Sequence, residues 1–66
     1  MNLTVNGEAT ALAEGTTVDD LVAEVAGTRR GVAVSVDRAV VPRSAWAQTS
    51  LKEGEAVEVL VAAAGG

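Results

Sequence analysis

The chain has no cysteine, no histidine, no tyrosine and no phenylalanine, and only one tryptophan, one proline and one methionine among its 66 residues. Without cysteine there can be no disulfide staple and no thiolate nucleophile. Without histidine as well, His-based acid–base relays and the usual zinc ligand sets are also excluded. Cations are scarce: five Lys and Arg stand against nine Asp and Glu, for a net charge of −4. An acidic chain with one aromatic residue is poorly equipped to hold a phosphate backbone or stack bases, so no nucleic acid partner is expected. It suits a basic patch on a protein partner. Long apolar runs are missing too. The longest, Val59 to Ala64, is far short of the roughly 20 residues that span a bilayer. The opening "MNLTVNGEATA" has neither the basic start nor the apolar stretch of a secretory signal. The expectation is a cytoplasmic protein that binds no membrane.

What is present is apolar and economical. Hydrophobic residues make up 48% of the chain, mostly Val, Ala and Leu, well above the range of disordered chains. A fold of this length buries only about 60% of the surface its unfolded chain exposes, so it needs an efficient core.

The local patterns define the elements. "LTV" at residues 3–5 alternates and runs into Asn6-Gly7, a pair suited to a hairpin turn that needs positive φ at both positions. "EATAL", Glu8 to Leu12, is the returning strand. Thr17 is placed to cap a helix, with Asp20 as a shorter stand-in for the usual Glu of a capping box. Asp19 and Asp20 lie where the helix dipole favours negative charge. Val18, Leu21, Val22, Val25 and Ala26 share one helical face, and Gly27 stands at the left-handed C-terminal position. Asp19, Asp20 and Glu24 read as a solvated helix face rather than a metal site, and Arg29 and Arg30 as a solvated pair after the helix end.

Val32, Val34 and Val36 alternate with Ala33 and Ser35 as a strand, and Asp37-Arg38 reads as a turn. "AVV" is a short strand stopped by Pro42, which cannot donate to a ladder. "RSAWAQT" suits one helical turn that lays Trp46 on the core, with its N–H on a backbone carbonyl. "KEGE" turns around Gly54, and Ala56 to Ala62 forms the last strand. Glycines 7, 15, 27, 31 and 54 all fall at element boundaries, which leaves Gly65 and Gly66 to be explained.

Taken together, "VNGE", "TTVDDL", "VAVSVDRAVVPRSAW" at residues 32–46, "LKEGEAVEVL" and the closing "GG" resemble the sulfur carrier family of thiamine biosynthesis, ubiquitin-like β-grasp domains. One departure is Asp37, where that family is expected to carry Asn. Asn tolerates positive φ somewhat better, so the effect should fall on turn geometry. The resemblance implies an α+β fold: a small mixed sheet on one helix, with the first and last strands parallel neighbours at its centre. It implies one domain over residues 1–66 with 63–66 as a flexible tail.

The resemblance also implies a carrier rather than an enzyme, with no catalytic residue, no metal and no bound cofactor of its own. A partner adenylyltransferase would use ATP and magnesium to adenylate the carboxylate of Gly66. A persulfide donor would convert it to a thiocarboxylate, and thiazole synthase would receive the sulfur. Gly65 and Gly66 lack Cβ, so the tail could take any φ inside a narrow channel, and Ala63 and Ala64 add little bulk. Four residues reach at most roughly 13–14 Å beyond Ala62. Val59 or Leu60 with Ala62 are candidate apolar anchors for docking, and Glu58 or Glu55 a candidate acidic rim. The alternatives are a carrier for molybdopterin or cysteine synthesis, a ubiquitin-like protein modifier, or an interaction domain with an inert tail.

Overall fold

The structure, a computed structural model, describes residues 1–62. Its elements in chain order are β1 (Asn2–Val5), β2 (Glu8–Ala11), α1 (Val18–Val25), β3 (Val32–Val36), β4 (Ala39–Val41), a 3-10 helix (Arg43–Gln48) and β5 (Ala56–Val61). The strands form one mixed sheet in the order β2-β1-β5-β3-β4. β5 therefore sits in the middle, parallel to β1 and antiparallel to β3. This is the expected mixed sheet on one helix, with the first and last strands side by side.

Both hairpins follow from their two-residue loops. Asn6 and Gly7 take φ of 52° and 82°, and Asp37 and Arg38 take 49° and 70°. Positive φ at both loop residues gives a turn whose twist matches that of its strands. The helix starts as its sequence dictates: the Thr17 hydroxyl accepts from the Asp20 N–H, and the Asp20 carboxylate accepts from the Thr17 N–H, both at 3.1 Å. Asp20 thus completes the capping box despite its shorter side chain.

The helix face is narrower than its periodicity suggests. Val18, Leu21 and Val22 are buried, whereas Val25 is half exposed because the short helix runs past the edge of the core. Facing it from the sheet are Leu3, Val5, Val34, Val57 and Val59, and the cluster closes over Trp46 and Leu51. The Trp46 indole N–H donates to the Val41 carbonyl at 2.9 Å, so the one aromatic residue enters the core without an unpaired donor.

The residues after the helix are tied back to it. Arg29 grips Asp19 with two donors, Nε to Oδ1 and Nη2 to Oδ2, the latter at 2.9 Å. Expected as a solvated residue, Arg29 is paired because the turn at Gly27 carries it back to the first turn of α1.

Candidate functional site

The last strand brings the chain to residues 63–66. Strand alternation divides β5 between two surroundings. Val57 and Val59 point to the helix and are buried, whereas Glu58 and Leu60 point away from it and are exposed. The register with β3 places Ala33 beside Leu60 and Ser35 beside Glu58 on this outer face, and the β3–β4 pairing adds Val40 beside Ser35. Leu60 is 67% exposed and Val40 77%. Together they form an apolar patch on the side of the sheet that no helix covers.

A shallow groove of about 300 Å³ crosses the patch between Ala33, Ser35, Arg38, Val40, Glu58 and Leu60. A second depression continues from it over Thr4, Gly7, Ala56 and Glu58, with Arg38 lining both. The Ser35 hydroxyl reaches a Glu58 carboxylate oxygen at 3.4 Å. The outer face therefore combines an apolar strip with one cation and one anion. It suits a protein surface and holds no cluster of groups able to do acid–base chemistry. Among the described residues, no group of three or more Asp and Glu is placed to hold a metal ion.

The structure sorts the expected anchors. Leu60 and Ala62 are exposed, and Glu58 stands beside Leu60's strip. Val59 is instead a core residue, 5% exposed, because its parity along β5 matches Val57. Glu55 lines neither depression. It precedes β5, roughly 23 Å of extended chain from Ala62, and its carboxylate closes a turn by accepting from the Lys52 N–H at 2.6 Å. Ala63, Ala64, Gly65 and Gly66 lie outside the described residues. The last tie before them is Ala62, whose N–H donates to the Gly31 carbonyl at 2.7 Å.

Arg38, Val40 and Ala33 were not among the expected site residues. Alternation in "VAVSV" and "AVV" gives each residue's parity. Only the pairing of β3 with both β4 and β5 brings the three onto one surface.

The geometry now has counterparts. The ThiS family model matches residues 3–66. The chain is 30% identical over 66 residues to the sulfur carrier protein ThiS of Escherichia coli (strain K12), covering the whole of both chains. It is 33% identical over the same length to a thiazole synthase of Paramagnetospirillum magneticum, of which it spans 20%. The crystal structure of the thiamine biosynthesis protein ThiS from Geobacter metallireducens superposes with a TM-score of 0.81 at 36% identity, covering 100% of each chain. The chain belongs to the ThiS family, the sulfur carrier proteins of thiamine biosynthesis, and is a carrier rather than a catalyst.

Proposed function

We propose that this protein carries sulfur as a thiocarboxylate on Gly66 and delivers it to a thiazole synthase. A terminal carboxyl has a pKa of roughly 3.3–3.7 and is ionised at neutral pH, which makes it a poor acyl electrophile. A partner adenylyltransferase joins the Gly66 carboxylate to the α-phosphate of ATP, with magnesium on the phosphates, and pyrophosphate leaves. A persulfide sulfur then attacks the acyl carbon. AMP departs, and reduction of the resulting acyl disulfide by a second thiol frees the thiocarboxylate. All of this chemistry is the partners'. The chain supplies the acyl group and the surface by which it is recognised.

The observation that carries this reading is the path of β5. The central strand of the sheet, held as far as Ala62 by its bond to Gly31, runs directly into Ala-Ala-Gly-Gly. The four residues that follow the strand in the sequence carry no bulky side chain. The outer face beside it offers Leu60, Val40 and Ala33 as an apolar anchor, with Arg38 and Glu58 at its rim. Recruitment of a thiazole synthase is supported by the likeness of this whole chain to one fifth of a protein of that name. Membership of the ThiS family favours the thiamine recipient over the molybdopterin, cysteine and modifier alternatives. The chemistry belongs in the cytoplasm, where ATP is available.

Gly65→Val tests the tail. A branched side chain next to the reacting residue should block a narrow channel while leaving the body folded. The expected result is an unchanged circular dichroism spectrum and urea midpoint, with ATP-dependent pyrophosphate release from the host adenylyltransferase reduced at least tenfold. Wild-type release would contradict the channel.

A further inference from the structure

Asn6 is where β1 leaves the sheet. Its N–H still donates to the Val57 carbonyl at 2.8 Å, continuing the ladder that Thr4 makes with Glu55 at 3.0 Å. The main chain then turns away at positive φ, and the next peptide groups of β5 would lose their partner on that side. The Asn6 side chain fills the gap. The Val59 N–H donates to its Oδ1 at 2.8 Å, and its Nδ2 donates to the Val59 carbonyl at 3.2 Å. A carboxamide, which carries an acceptor and a donor in one plane, stands in for a missing peptide group.

The same dipeptide is chemically labile. In a mobile chain the Gly7 nitrogen attacks the Asn6 carboxamide carbon, and glycine has no side chain to hinder the approach. The new N–Cγ bond forms and the Cγ–Nδ2 bond breaks. Ammonia leaves with the proton from the Gly7 nitrogen. Water then opens the succinimide at either carbonyl, giving aspartate or isoaspartate. The reaction needs only water. It does require Cγ to swing onto the Gly7 nitrogen, and the carboxamide cannot do so while it faces Val59.

We propose that Asn6 is a deamidation site gated by unfolding, and that its conversion is self-sealing because the product cannot rebuild the bond pair to Val59. An aspartate keeps the acceptor for the Val59 N–H but sets a second oxygen against the Val59 carbonyl, where the donor had been. An isoaspartate also adds a methylene to the backbone of a two-residue turn, which shifts β2 against β1. Either product loosens the strand that leads into residues 63–66.

The test holds the full chain at one mildly alkaline pH and temperature, folded in buffer or unfolded in urea. Digestion and mass spectrometry then follow amide-to-acid conversion, with isoaspartyl peptides separated by chromatography. Asn2, the other asparagine in the chain, is followed by Leu3 and serves as the internal slow site. Conversion at Asn6 at least tenfold faster in urea is the expected result, and equal rates overturn the gating. A second arm measures Asn6→Asp. At neutral pH it should unfold at lower urea than the native chain, because the carboxylate lacks the donor that the carboxamide gives to the Val59 carbonyl. A variant as stable as the native chain at neutral pH overturns the self-sealing step.

Discussion

Val59 and Leu60 are neighbours in β5 yet occupy opposite environments: Val59 is 5% exposed against the helix, and Leu60 is 67% exposed on the open face of the sheet. The alternation of a strand separates stability from recognition within two residues. Val59→Ala should cost about 2 kcal/mol, the transfer of two methyl-sized groups plus a residual cavity, with adenylation normal at temperatures where the chain stays folded. Leu60→Asp should leave the unfolding free energy from urea melts within about 0.5 kcal/mol of wild type and raise the KM of the adenylyltransferase for the carrier at least tenfold. The reverse pattern, with Leu60→Asp unfolding the chain and Val59→Ala impairing only recognition, would invert the assignment of the two faces.

Arg38 holds a φ of 70° in the β3–β4 turn, a conformation that costs an L-residue about 1–2 kcal/mol. Glycine would relieve that strain but would gain freedom in the unfolded chain worth about 0.4–1 kcal/mol. Arg38→Gly should therefore stabilise the fold by about 0.5–1 kcal/mol, read as a higher urea midpoint at unchanged slope. Because Arg38 lines both depressions of the outer face, the same variant should be adenylated less efficiently. A more stable and equally active variant would remove Arg38 from the docking surface.

The Arg29 guanidinium, hydrogen-bonded to Asp19, holds its carboxyl below the usual carboxylate range. The folded value is depressed, so the contribution of the pair is present above the unfolded pKa of about 3.9 and is lost as pH falls through the folded value. Both side chains meet solvent, so the effect is small and weakens with salt. An NMR titration of the Asp19 carboxyl carbon should show a midpoint below the ordinary one in wild type and a return toward it in Arg29→Ala. An unchanged midpoint would mean that the ion pair does not form in solution.

Much of this arrangement was legible in the sequence. Thr17 with Asp20, Gly27 after the helix, Pro42 after a three-residue strand and the Asn-Gly turn each announce a boundary through their own backbone chemistry, and the structure places the boundaries there. Trp46 could be expected inside with its N–H bonded, since a buried indole needs an acceptor. Long-range pairing was not legible from local pattern. "VEVLV" alternates whichever valines face inward, and the choice of Val57 and Val59 follows from the register of β5 against Val34 and Val36, more than 20 residues away. The resemblance supplied the parallel pairing of β1 with β5, which no local rule provides. Arg38 was legible as a turn residue but not as part of the outer face, because the surface it lines is assembled by the pairing of β3 with β5. The two-residue loop between β3 and β4 was the signal for the turn, since positive φ at both of its residues matches the twist of the strands. The bond from Asn6 to Val59 spans 53 positions, and an asparagine in a turn gives no sign of such a reach.

The central claim is that the Gly66 carboxyl carries sulfur, and the absence of cysteine and histidine makes it directly measurable. The protein is incubated with the host adenylyltransferase, ATP, magnesium and a persulfide-generating sulfur source, treated with iodoacetamide, and weighed intact before its adduct is mapped by fragmentation. Oxidation of Met1 or Trp46 resembles an oxygen-for-sulfur exchange in mass but creates no group that iodoacetamide alkylates. The expected result is one alkylated adduct, located at Gly66, that disappears when ATP is left out. An unalkylated chain, with the adenylyltransferase shown to be active on another carrier in the same mixture, would contradict that claim.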